Sequence, residues 1–119
     1  MYTISQLQNI CYTNAVNAGW YADLKTGERK ELNKGERLML IVTEISEAME
    51  GVRKNLMDDK LPHRKMVEVE LADAVIRILD FAGAEGMDLE GAILEKIEYN
   101  KNREDHKIEN RMKDGGKSC

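Results

Sequence analysis

The sequence predicts an all-α protein, and three observations carry that expectation. The 119 residues are rich in Ala, Leu, Met, Glu and Lys, the strong helix formers. A single proline and 5% aromatic residues leave too few turn-makers and β-formers for a sandwich or barrel. Apolar residues also recur at helical period, most clearly at Leu38, Ile41, Val42, Ile45, Met49 and Val52.

Four helices are expected in order. The first opens at Thr3, which has capping-box spacing to Gln6, and ends before Gly19. A polar loop over 21–32 follows. Asn33 and Glu36 repeat the cap-and-acid spacing and open a second helix reaching about Lys54. Residues 55–61 form a connection, and Pro62 suits the first turn of a third helix, where its missing N–H is harmless. That helix extends to about Glu85, and Gly86 can end it. Asp88 caps a fourth helix running toward Arg111. One domain over 1–111 and a flexible tail over 112–119 result, with no repeat of fixed period.

Composition excludes several classes. At 42% hydrophobic and 34% charged the chain is globular. A formal charge of −4 argues against a dedicated nucleic-acid or anionic-membrane binder. The longest unbroken apolar run, 38–42, is far too short to span a bilayer, and the first residues do not read as a signal peptide. Cys11 and Cys119 make neither a disulfide framework nor a metal quartet, so a reducing cytoplasm is the expected setting.

Chemistry concentrates in two carboxylate pairs. Glu44 and Glu47 stand three apart on the second helix, Glu70 and Asp73 three apart on the third, and such pairs share a helix face. The third helix is apolar around most of its circumference, which predicts burial on most sides. Its exceptions are Glu68 and a stripe of Glu70, Asp73, Arg77 and Asp80 within an arc of roughly 80°. Uncompensated carboxylates in such a setting cost several kcal/mol each. A divalent cation answers this with all-oxygen ligation, which suits Mg²⁺ or Mn²⁺. Zinc fits poorly without nearby Cys or His. A di-iron bundle would need Glu-x-x-His, but Lys60 and Arg103 precede His63 and His106 at that spacing. The competing interpretation of any single Glu-x-x-Glu is a solvated or salt-bridged face.

A basic row follows on the expected fourth helix. Lys96, Asn100, Arg103 and Lys107 fall on one face within an arc of roughly 60°, as polyphosphate binding requires. Cations near a helix C-terminus also suit the helix dipole without any ligand. Trp20, the only tryptophan, is a candidate for stacking on a base or for packing. The Gly-Gly-Lys-Ser tail is no phosphate loop, because Arg111 stands where the first glycine belongs and no strand precedes it.

Glu44-x-x-Glu47, then Glu70-x-x-Asp73, then Lys96, Asn100, Lys101 and Arg103 in this order resemble the MazG-like nucleoside triphosphate pyrophosphohydrolases. These belong to the all-α pyrophosphatases, with dimeric dUTPases and phosphoribosyl-ATP pyrophosphatase as relatives. The resemblance spans roughly residues 33–103. It implies a four-helix bundle completed by oligomerisation as a homodimer or homotetramer. It implies Mg²⁺ held by Glu44, Glu47, Glu70 and Asp73, and cleavage of a nucleoside triphosphate to monophosphate and pyrophosphate. Lys96, Asn100 and Arg103 match its phosphate-binding positions, and Glu47, with Glu44, is the candidate for orienting the attacking water. Thr43 departs from the pattern, standing where the family often carries a further acid. Two alternatives stay open: a non-catalytic helical oligomerisation module, and a dUTPase-like or phosphoribosyl-ATP enzyme.

Overall fold

A computed structural model describes residues 1–119, and its regular elements are all helices, without strands. The helices are α1 (Ile4–Asn17), α2 (Lys34–Lys54), α3 (Met66–Ala84), α4 (Leu89–Lys101) and a single turn, α5 (Ile108–Arg111). A 3-10 turn, Glu104–His106, precedes α5. The chain divides into two compact units, Met1–Met87 and Asp88–Cys119.

Most helix ends form where local chemistry dictates. Thr3 accepts from the Gln6 amide at 3.1 Å while the Gln6 side chain accepts from the Thr3 amide at 2.8 Å, a full capping box. Asn33 accepts from Glu36 N–H at 2.8 Å and Asp88 from Gly91 N–H at 3.0 Å, each satisfying an orphan donor of a first turn. Gly86 takes φ +66°, which lets Met87 N–H fold back onto the Ala82 carbonyl and close α3.

Two boundaries differ from the sequence expectation. α3 starts at Met66, not Pro62. The Asp58 carboxylate accepts from Lys60 and Leu61 N–H at 2.9 and 2.7 Å, and Arg64 N–H bonds Leu61 O, so the segment around Pro62 is spent on a turn. α4 ends at Lys101 instead of continuing to Arg111, because Asn102 donates its side-chain amide to the Glu98 carbonyl and Arg103 is extended.

Within the first unit, α3 packs against both α1 and α2. The α1 approach is close: a Cβ on Gly83 would lie 2.6 Å from Tyr12 Cβ. Tyr21, Ala48, Ala74, Leu79 and Ala82 form a small core. The expectation that α3 is buried on most sides does not hold in the single chain. Leu71, Val75, Ile76 and Ile78 are exposed, Val75 at 51%, and α2 likewise exposes Leu38, Met39, Val42, Ile45, Met49 and Val52. No helix is long and apolar enough to cross a membrane.

Candidate metal centre

The carboxylates converge where α2 meets α3. One carboxylate oxygen from each of Glu44, Glu47 and Glu70 lies within 4.8 Å of the others. Glu44 and Glu70 are buried and Glu47 is exposed, so the cluster has a buried floor and one open edge. Arg77 Nε donates to Glu44 Oε1 at 2.9 Å and is the cation that the α3 stripe itself supplies. Asp73 stands outside the three that converge, yet is close enough to feel Glu44 and Glu47 electrostatically.

Electrostatics report an excess of negative charge. Burial raises the Glu70 carboxyl to about 8 from its ordinary 4.5, helped by hydrogen bonds with Glu44 and Glu47 and by the charges of Glu47 and Asp73. Burial also raises Asp73, joined by the charges of Glu44, Asp58 and Glu47 and opposed by Arg77. In the metal-free chain the crowded acids of the cluster therefore favour keeping a proton among them. A proton shared among acids marks a place where a stronger cation is electrostatically welcome.

The donor set fits a hard divalent ion. Three carboxylates without sulfur or imidazole suit Mg²⁺ or Mn²⁺, so Glu44, Glu47 and Glu70 could hold a metal ion. Thr43 adds no carboxylate, and its hydroxyl is bonded to the Leu40 carbonyl at 2.6 Å.

Further along α3, Asp80 belongs to a different group. It accepts from the Tyr21 hydroxyl at 2.7 Å and from Arg37 Nη2 at 3.1 Å, and Arg37 also bonds the Tyr21 hydroxyl. The Arg37 guanidinium lies over the rings of Tyr21 and Phe81, about 5 Å from each. Burial and the Asp80 bond hold the Tyr21 phenol well above its usual range. The acidic stripe is thus split: Asp80 is matched by Arg37, while Glu44, Glu47, Glu70 and Asp73 face only Arg77. Sequence reasoning missed Arg37 and Tyr21 as Asp80's partners. It also missed Asp58, a buried acid that acts on Asp73 from the α2–α3 connection. The Asp-x-Lys-Leu run at 58–61 was its available signal, an Asx turn before a helix.

In the second unit, Lys96 and Asn100 share a face of α4, with Lys96 Nζ 4.5 Å from the Tyr99 ring centroid. Asn100 Oδ1 is buried without a hydrogen-bond partner. The expected single face does not extend to Arg103 and Lys107, because both lie beyond the end of α4 in extended conformation. Arg103 forks onto Asp105 through Nε at 3.1 Å and Nη2 at 2.7 Å, and Lys107 pairs with Glu104 at 2.7 Å. Trp20 lies in the turn after α1 and is 68% exposed.

Comparison with family models, with curated proteins and with solved structures yields no match to this chain.

Proposed function

We propose that this chain is a Mg²⁺-dependent, MazG-like nucleoside triphosphate pyrophosphohydrolase that releases a nucleoside monophosphate and pyrophosphate. The observation that carries this reading is the Glu44–Glu47–Glu70 cluster, whose negative charge exceeds what Arg77 offsets. The order of acidic and basic residues along the chain, which resembles that family, supplies the substrate class.

A divalent ion bound there would supply neutralisation of the charge developing on a triphosphate. The chain's own residues have separable roles. Glu47, on the open edge, accepts a hydrogen bond from the attacking water and orients it. Glu44 is fixed by Arg77, which limits its rotamers and keeps its carboxylate directed at the cluster. Asp73 adds negative potential from one helical turn beyond Glu70. The family resemblance assigns phosphate binding to Lys96, Asn100 and Arg103 of the second unit, and the exposed Trp20 of the first offers a face for a base.

Oligomerisation into a homodimer or homotetramer belongs to the same reading. α2 and α3 both expose rows of large apolar side chains, and pairing with a second copy would cover them and complete the bundle. The free cysteines are compatible with a cytoplasmic setting. The same apolar surface also favours a second reading, a non-catalytic helical oligomerisation module. The two differ in their need for metal and nucleotide.

The test is a panel of nucleoside and deoxynucleoside triphosphates with Mg²⁺, scored for pyrophosphate against orthophosphate. Pyrophosphate as first product, lost with EDTA, is expected. Orthophosphate as first product, or no turnover across the panel, overturns the proposal.

A further inference from the structure

In the C-terminal unit, Lys117 from the tail joins Arg103 at the carboxylate of Asp105. Arg103 grips Asp105 side-on through both Nε and Nη2, and Lys117 Nζ reaches the same Oδ2 at 2.9 Å. The tail is turned back to allow this. Gly115 takes φ +78°, Gly116 N–H bonds the Lys113 carbonyl at 2.9 Å, and Arg111 Nε donates to the Lys117 carbonyl at 3.2 Å. Two cations thus hold the Asp105 carboxyl well below the usual carboxylate range. All three side chains remain partly exposed. Two open clefts share Glu104 and Asp105 in their lining; one adds Tyr99, Asn102 and Arg103, the other Asn110, Lys113, Asp114 and Lys117 with the turn glycines.

An arginine fork and an ammonium converging on one oxyanion is the arrangement that recognises phosphate. We infer that Arg103 and Lys117 are the two arms of a phosphoanion site, and that Asp105 fills it as an internal competitor until a polyphosphate displaces it. The inference takes its ligand class from the function proposed above and adds two residues to it, Lys117 as a binding group and Asp105 as a gate. A di- or triphosphate carries several charges to the single one of Asp105, and the pairs are partly open to solvent, so such an anion can compete with Asp105 for both cations. The C-terminal tail becomes part of the binding surface instead of an appendage.

The test is isothermal titration of the full chain with inorganic pyrophosphate and with tripolyphosphate in EDTA, beside a nucleoside triphosphate under the same conditions. Because the titration is metal-free, it stands or falls independently of hydrolysis at the carboxylates. Asp105→Asn, which keeps the shape and removes the charge, is expected to bind all three anions three- to tenfold more tightly. Lys117→Met and Arg103→Gln are expected to weaken binding at least fivefold. Unchanged or weaker binding by Asp105→Asn overturns the inference. Wild-type affinity in Lys117→Met, a gain confined to the nucleotide, or binding undetectable in both wild type and Asp105→Asn does the same.

Discussion

Replacing Glu70 with Gln should make the metal-free protein more stable at alkaline pH, although it alters a buried polar cluster. The Glu70 carboxyl sits at about 8 in the folded chain against an ordinary 4.5. Between these values the folded state binds more protons than the unfolded state, so stability falls as pH rises through the window. The contribution is fully present below 4.5 and gone above about 8. The full displacement corresponds to a ceiling of about 5 kcal/mol at 1.36 kcal/mol per pH unit. Burial is the main cause, but the proton is shared with neighbouring acids of which Glu47 is open to water, so about half of that ceiling, roughly 2–3 kcal/mol, is expected. Glutamine removes the ionisation and hence the loss. For a chain of this size, at ~2 cal/mol/K of unfolding entropy per residue, the variant should melt roughly 10 °C above wild type near pH 8.5. Near pH 5 the two should converge. Thermal melts followed by circular dichroism in EDTA across pH 5–8.5 measure this, and Mn²⁺ should raise the wild type while leaving Glu70→Gln nearly unmoved. A wild-type melting temperature that is flat with pH, or a variant with the same slope, refutes the reasoning.

Two further perturbations probe what positions the cluster. Arg37→Met leaves Asp80 and the Tyr21 hydroxyl without their guanidinium in a largely buried setting, and should cost about 2–3 kcal/mol by urea denaturation. Gly83→Leu forces a side chain into the α1–α3 contact at Tyr12, where a Cβ alone would approach to 2.6 Å, and should cost about 1–3 kcal/mol.

Helix starts were legible because each is decided by a few adjacent atoms: Thr3, Asn33 and Asp88 cap as their spacing predicts. Gly86 closes α3 for the same local reason. Pro62 misled because a proline fits a turn as readily as a first helical turn, and the Asp58 carboxylate settled the competition by taking the Lys60 and Leu61 amides. The end of α4 was hidden because apolar spacing continues through Ile108, whereas Asn102 stops the helix through a side-chain bond that periodicity does not register. Convergence of Glu44, Glu47 and Glu70 followed from face arithmetic on two neighbouring helices. Assignment of Asp80 to Arg37 did not, since that pair spans 43 residues and depends on how α2 and α3 dock. The exposed face of α3 was illegible for another reason: an all-round apolar helix says that it needs cover, not whether the same chain provides it.

Everything proposed for function depends on the carboxylate cluster holding a divalent cation. Electron paramagnetic resonance of free Mn²⁺, titrated with this chain at pH 8, measures that binding without reference to substrate. Saturable loss of the free-ion signal is expected for wild type. It should be reversed by excess Mg²⁺, weakened in Asp73→Asn, and abolished in the double variant Glu44→Gln, Glu70→Gln. A free-ion signal unaffected by wild type, or equally diminished by wild type and the double variant, would contradict the assignment of this site.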